Sequence, residues 1–201
     1  LKYIKKMKIN SDQIQELYKK KNLNDIKIQI DTLIKYDPTN AYINSYLGEF
    51  YGKQKNFLRA QIYQEKAILS NPYDIIFYIN LAHTYNFLGK FLLSKLFLEY
   101  ALLINEKNES ALLSYARILF TLKNYTKVLS IFEKLLLVTS NSNSFEYKVE
   151  FFERLIDLKK VNEAKKILSQ IYIEKKNENL IKVLYLEGIL KKTKKEYKEA
   201  E

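Results

Sequence analysis

The chain contains no cysteine, and it has only four glycines and two prolines among 201 residues. The missing cysteine excludes disulfide bonds, thiolate catalysis and zinc sites built on sulfur ligands. A β-sandwich or β-barrel needs a turn about every 8–12 residues, which so few glycines and prolines do not favour. The composition therefore indicates long helices joined by short connections.

Long apolar runs are also missing. No run approaches the roughly 18 residues that a membrane-spanning helix needs, so we expect no membrane span. Residues 1–6 lack both the apolar core of a signal peptide and an initiator methionine. We therefore expect this chain to be a fragment of a longer protein. The cytoplasm is the favoured compartment, and the periplasm is the alternative.

Hydrophobic residues make up 47% of the chain and charged residues 28%, a balance typical of globular proteins. The formal net charge of +11 raises the alternative of a basic solenoid that binds nucleic acid. The lysines lie in short groups scattered along the chain, as at Lys5–Lys6, Lys159–Lys160 and Lys194–Lys195. This scatter favours a solvated surface, and we do not expect nucleic acid as a partner.

A pattern of apolar and small residues recurs about every 34 residues. The clearest copy is marked by Tyr46, Leu47, Gly48, Phe50, Tyr51, Asn56, Phe57, Ala60, Ala67 and Pro72. Two more copies follow, marked by Leu81, Ala82, Tyr85, Ser94 and Ala101, then by Tyr115, Ala116, Asn124, Tyr125, Val128 and Leu135. A weaker copy precedes them, and after Ser140 the period lengthens by two residues for a fifth copy and a truncated sixth.

This pattern resembles the tetratricopeptide repeat (TPR) family, whose unit is a hairpin of two helices, A and B, about 34 residues long. Gly48, Tyr51, Ala60, Ala67 and Pro72 occupy the signature positions of that family. The resemblance implies an all-α fold, a right-handed α-solenoid of about five and a half hairpins, in a single domain over residues 1–201. The approximate hairpin limits are 7–40, 41–74, 75–108, 109–142, 145–178 and, incomplete, 181–201.

Small residues at fixed positions allow the two helices of a hairpin to approach closely. The expected pairs are Gly48 with Ala60, Ala82 with Ser94, Phe152 with Ala164, and Gly188 with Ala200. The first hairpin pairs two large residues, Ile14 and Ile26, so we expect a wider crossing there. Pro38 and Pro72 are expected to end B helices.

The last hairpin stops within its B helix. We expect this to leave Leu190 and Tyr197 exposed, because no capping helix follows them. Since an uncapped solenoid end is adhesive, self-association through the C-terminal end is a further expectation.

No catalytic constellation is visible in the sequence. The chain has one histidine, His83, and it has neither a glycine-rich phosphate loop nor a cluster of metal ligands. We therefore predict no enzyme activity, cofactor, metal or small-molecule substrate, and a structural or surface role for His83.

One position in successive A helices carries a polar row, which the resemblance places on a concave face. The row consists of Gln15, Glu49, His83, Arg117 and Glu153. One interpretation is that it contacts the backbone or charges of an extended peptide. The other is that Glu49 with His83, and Arg117 with Glu153, only bridge neighbouring helices, where exposed pairs contribute about 0–1 kcal/mol.

Apolar residues flank this row and predict a groove that binds a peptide or an amphipathic helix of a partner protein. The predicted groove consists of Tyr42, Glu49, Ile76, Ile79, His83, Asn86, Phe87, Leu113, Arg117 and Phe120. The alternative is that Ile79 and Leu113 pack against each other and are mostly buried. The carboxylate clamp of some family members is matched only at Asn80, so we expect no binding of chaperone tails by that mechanism.

The sequence thus predicts a non-catalytic scaffold for protein–protein interaction. Two alternatives stay open, a recognition arm of a larger enzyme and the basic solenoid that binds nucleic acid.

Overall fold

The computed structural model describes residues 34–35, 37–139, 143–173 and 180–198. These residues form helices joined by short turns, and no strand occurs among them. The helices are α1 (Ala41–Lys53), α2 (Phe57–Ser70), α3 (Ile75–Phe87), α4 (Phe91–Ile104), α5 (Glu109–Thr121), α6 (Tyr125–Val138), α7 (Ser144–Asp157), α8 (Val161–Ile173) and α9 (Leu180–Lys198). The all-α prediction is confirmed for the described residues.

Short polar side chains fix where several helices begin. The side chain of Asn40 accepts hydrogen bonds from the backbone N–H groups of Tyr42 and Ile43, each at 3.1 Å. Asp74 caps α3 and Asn108 caps α5 in the same manner. These bonds satisfy backbone donors that have no partner within the helix, and each such cap is worth about 1 kcal/mol.

The turn between the A and B helices repeats with the sequence period. A residue with positive φ, between 58° and 71°, occurs in each of these turns, at Lys55, Gly89, Lys123 and Lys159. The last interval is two residues longer than the others, as the lengthened sequence period predicts. Only Gly89 adopts this left-handed conformation without steric cost.

The chain divides into two compact units, residues 1–114 and residues 115–201, with the division inside α5. In the first unit α1 packs against α2, α2 against α3 and α3 against α4, and α1 also packs against α3. In the second unit α6 packs against α7, α7 against α8 and α8 against α9. The assignment of a single domain, with its hairpin limits, stays a prediction.

The predicted close approach of α1 and α2 is present. A Cβ atom added at Gly48 would lie 2.5 Å from Cγ of Gln64 and 3.2 Å from the carbonyl oxygen of Ala60. Ala60 is fully buried. The other expected small and mixed pairs within the described residues, Ala82 with Ser94 and Phe152 with Ala164, are also fully buried.

Several predictions concern residues at the edges of the described ranges. The Ile14–Ile26 crossing, Gln15, Ala200 and the side chain of Tyr197 lie outside the described residues. Gly188 is exposed, and no described atom lies within 4 Å of its added Cβ. Leu190 is half-buried rather than exposed, and the helix that carries it, α9, packs against α8.

Tyr85 of α3 is buried and donates a hydrogen bond of 2.8 Å from its hydroxyl to Oε1 of Glu65 on α2. Burial, followed by this hydrogen bond, raises the pKa of Tyr85 from 10.0 to about 12. Because the folded pKa lies above the unfolded one, this contribution to stability is complete below about pH 10 and is lost as the pH rises through about 12.

We expect Tyr85→Phe to lower the free energy of unfolding by about 1.5 kcal/mol at neutral pH, since a hydrogen bond to a charged acceptor is lost. The difference between the two proteins should shrink between about pH 8 and about pH 11, because only the wild type has Tyr85 to ionise on unfolding. Urea denaturation of both proteins at the two pH values measures this difference in the free energy of unfolding. A difference that does not depend on pH would contradict the role of this hydroxyl.

Candidate functional site

A pocket of about 300 Å³ opens on the first unit. Three successive helices form it: α1 and α3 are A helices that pack side by side, and α2 connects them. Its lining residues are Glu49, Gly52 and Lys53 of α1, Phe57 and Gln64 of α2, and Asn80, His83, Thr84 and Phe87 of α3.

The helical period explains why α3 supplies four of these residues. Asn80, His83, Thr84 and Phe87 are spaced by three, one and three residues, which places all of them on one side of an α-helix. Glu49 and His83 are one repeat apart and hold the same position in neighbouring A helices. The structure therefore brings together Glu49, His83 and Phe87 of the predicted groove.

Two aromatic rings form the apolar part of the pocket. The rings of Phe57 and Phe87 stack with centroids 4.9 Å apart and planes 6° apart. Phe87 is nonetheless 67% exposed. A ring that one neighbour holds in place while its remaining surface meets water offers a fixed apolar contact to a ligand.

The polar part of the pocket contains both signs of charge. Lys53 Nζ and Glu49 Oε1 are 2.8 Å apart, four residues along α1. His83 Nε2 lies 2.8 Å from Oγ of Ser114, which is a buried residue of α5 in the same unit. The tautomer of His83 decides which of the two atoms donates this bond. This contact orients the imidazole of the exposed His83 side chain.

Six of the nine lining residues were not part of the predicted groove: Gly52, Lys53, Phe57, Gln64, Asn80 and Thr84. Phe57 and Gln64 belong to a B helix, whereas the predicted groove was drawn from A helices. Gln64 is the one that the sequence could have indicated. It is buried, and its Cγ packs where Gly48 lacks a side chain. One repeat on, the same position holds Leu98, and the next holds Phe132, both fully buried. A polar residue at a position that is otherwise apolar was the signal that could have identified it.

The other predicted groove residues of the first unit do not line this pocket. Ile76 and Asn86 are exposed, and Leu113 is half-buried. Tyr42 is half-buried, and its ring lies edge-on to Phe77 at 5.6 Å. Ile79 is 2% exposed, which favours the alternative of a packing role for that residue.

Arg117 and Phe120 belong to the second unit. Arg117 donates two hydrogen bonds to Glu150, from Nε to Oε1 at 2.8 Å and from Nη2 to Oε2 at 2.6 Å. These bonds raise the pKa of Arg117 further above its ordinary value. The predicted bridge from Arg117 to Glu153 is therefore wrong. Glu150 lies one turn earlier on α7, and Glu153 instead approaches Lys182 at 3.5 Å.

Phe120 also contacts a cation of the second unit. The guanidinium of Arg154 lies over its ring, 4.6 Å from the centroid. The ring of Tyr125 lies 5.5 Å away. Both contacts are with residues of its own unit, so they define a local cluster.

Two further observations limit the chemistry of the described residues. Among them, no group of three or more histidine, aspartate or glutamate residues is arranged to hold a metal ion. None of the described helices combines the length and the apolar character needed to cross a membrane.

A family model described as tetratricopeptide repeat matches residues 76–108, which contain α3 and α4. The chain therefore contains a tetratricopeptide repeat. Its A and B helices are α3 and α4. The predicted fold class, an all-α TPR-like solenoid, is confirmed. No curated protein matches the sequence.

Several solved structures share the fold of this chain at low sequence identity. YrrB, described as a TPR protein with an unusual peptide-binding site, is 16% identical with a TM-score of 0.64, over 83% of this chain and 84% of YrrB. PilF of Pseudomonas aeruginosa is 14% identical with a TM-score of 0.71, over 94% and 89%. The first TPR of Spaghetti (RPAP3), bound to the HSP90 peptide SRMEEVD, is 23% identical with a TM-score of 0.55, over 59% and 95%.

Proposed function

We propose that this TPR protein is a non-catalytic scaffold that binds a segment of a partner protein in the pocket between α1, α2 and α3. The observation that carries the proposal is the exposed ring of Phe87, stacked on Phe57 at the wall of a pocket with charged and polar sides. Binding sites that combine apolar walls with a few oriented polar groups are the usual form of such pockets.

The pocket suits an apolar side chain of the partner segment. Such a side chain would pack on the Phe57–Phe87 pair, where aromatic residues commonly supply most of the binding energy. Glu49, Lys53 and His83 then lie within the same pocket to contact the polar backbone of that segment. The aromatic pair would set affinity, and the polar groups would set orientation.

Two of the similar structures support a peptide as the ligand class. YrrB has a peptide-binding site, and the RPAP3 domain was solved with a bound peptide. The acidic peptide of the second case is not the ligand we expect here, since the clamp pattern is matched only at Asn80. Lys53 pairs with Glu49, so these two residues together carry no net charge. Nucleic-acid binding depends on cations that neutralise phosphates, so this pairing favours a protein segment as the ligand.

The proposal predicts a large effect of Phe87→Ala on binding. Peptides selected from a displayed random library on the wild-type protein should bind the variant at least about tenfold more weakly, as expected for loss of an aromatic anchor. Fluorescence anisotropy with the selected peptides measures the two dissociation constants.

Tyr73→Ala is the matched control, because Tyr73 is an exposed aromatic residue of the same unit outside the pocket. It should bind the selected peptides like the wild type. If Phe87→Ala also binds them like the wild type while both proteins keep their helical circular dichroism, the pocket is not the binding site.

A further inference from the structure

Helix α4 exposes an apolar face to solvent. It buries Ser94, Leu98 and Ala101, and every residue that it exposes is apolar or aromatic. Its exposed residues are Phe91, Leu92, Leu93, Leu96, Tyr100, Leu103 and Ile104. Its two charged residues, Lys95 and Glu99, are half-buried and pair with each other at 3.0 Å. An exposed apolar surface of this kind commonly marks an interaction site.

The equivalent positions of the other B helices are more polar. Positions that hold Leu93 and Tyr100 in α4 hold the exposed cations Arg59 and Lys66 in α2. The position of Leu93 holds Lys127 in α6. The continuous apolar face is therefore a property of α4 and not of the repeat.

Four of the exposed residues form a stripe with heptad spacing. Leu93, Leu96, Tyr100 and Leu103 are separated by three, four and three residues, the spacing by which helices pack against each other in coiled coils. This spacing is the same when it is read from either end. An antiparallel copy of α4 therefore presents a matching stripe, with Leu93 opposite Leu103 and Leu96 opposite Tyr100.

The ends of the helix are complementary in charge in that same register. Lys90 precedes α4 and Glu106 follows it, and both are exposed. Lys90 and Glu106 lie equally far along the chain from the centre of the stripe, so an antiparallel pair places the basic end of each α4 beside the acidic end of the other, while Lys90 Nζ lies 5.6 Å from the ring centroid of Tyr85 in its own copy. The apolar centre contains no charge that pairing would bury.

The exposed area is sufficient for a dimer. By their exposed fractions, Leu93, Leu96, Tyr100 and Leu103 contribute about 380 Å² per copy, if a fully exposed large side chain is taken as about 180 Å². The flanking residues Phe91, Leu92 and Ile104 raise the exposed apolar area of the helix to about 600 Å². Two copies then remove up to about 1,200 Å² from water, which is at the lower end of specific protein interfaces.

We propose that this TPR protein forms a symmetric dimer through the stripe Leu93, Leu96, Tyr100 and Leu103, with the α4 helices of two copies antiparallel. Such an interface uses the same surface of both copies, as in most dimers of soluble proteins. It lies apart from the peptide pocket, and it differs from the self-association predicted for the C-terminal end.

The test is the oligomeric state of the double variant Leu96→Lys with Leu103→Lys. Sedimentation velocity should show wild-type dimers in the micromolar range, and the double variant should remain monomeric with its dissociation constant raised at least a hundredfold, about 2.7 kcal/mol. Both substituted residues are exposed, so the thermal unfolding followed by circular dichroism should stay near that of the wild type.

Leu137→Lys is the matched control. Leu137 holds in α6 the position that Leu103 holds in α4, and the two residues are 86% and 81% exposed. This variant should form dimers like the wild type. A monomeric wild type, or dimers that persist in the double variant, would overturn the proposal. The proposal would also be overturned if the wild type were monomeric and bound vesicles of anionic phospholipid while the double variant did not. The face would then be a membrane-contact surface.

Discussion

Replacing Gly48 with alanine is expected to lower the free energy of unfolding by about 2 kcal/mol, as overpacking of a close contact usually does. The added methyl group would lie 2.5 Å from Cγ of Gln64 and 3.2 Å from the carbonyl oxygen of Ala60. The backbone atom cannot move away without shifting α2. Gln64 is buried and has little room to move. Urea denaturation followed by circular dichroism measures the change.

Gly52→Ala is the control for this substitution. Gly52 lies one turn further along α1, and nothing lies within 4 Å of its added Cβ. There the ordinary preference of helices for alanine should raise the stability by up to about 1 kcal/mol. The cost of Gly48→Ala should also fall in the background of Gln64→Ala, since the nearest opposing atom is then missing. Equal effects at the two glycines would show that close approach of α1 and α2 is not required.

Replacing Phe132 with alanine is expected to lower the free energy of unfolding of the second unit by about 4 kcal/mol, the range for a large buried aromatic residue. Phe132 of α6 is fully buried, and its ring stacks on Phe151 of α7 at 5.1 Å. Its removal leaves a cavity between two helices and exposes Phe151 to that cavity. Urea denaturation of the variant measures the loss.

Leu137→Ala provides the comparison within the same helix. Leu137 is an exposed residue of α6, so its truncation should change the stability by no more than about 0.5 kcal/mol. A small effect of Phe132→Ala would contradict the packing of α6 against α7 described above.

The helices and their close contacts could be predicted from the sequence because the same pattern of apolar and small residues recurs in successive hairpins. Gly48 and Ala60 hold positions at which only small side chains allow two backbones to approach, and the structure has that approach. The A helices also bring Glu49, His83 and Phe87 of the predicted groove to one pocket. Periodicity carries this information, since residues one repeat apart take equivalent positions.

The remaining features do not follow from the equivalence of positions in the repeat. Gln64 joins the pocket from a B helix because it replaces a core leucine or phenylalanine. Arg117 pairs with Glu150 rather than Glu153, and His83 contacts Ser114 rather than Arg117, so these contacts join positions one helical turn apart and not equivalent positions. The sequence of α4 is apolar on nearly every side, which alone suggests a buried helix, yet the structure exposes one face.

The most direct test of the binding proposal uses the single histidine of the chain. His83 lines the pocket and is the only histidine among the 201 residues, so the imidazole region of a ¹⁵N-labelled nuclear magnetic resonance spectrum reports on one side chain. We predict that its signals shift progressively and saturate as a selected peptide is added. Unchanged His83 signals at a peptide concentration that saturates the anisotropy measurement would place the binding site elsewhere.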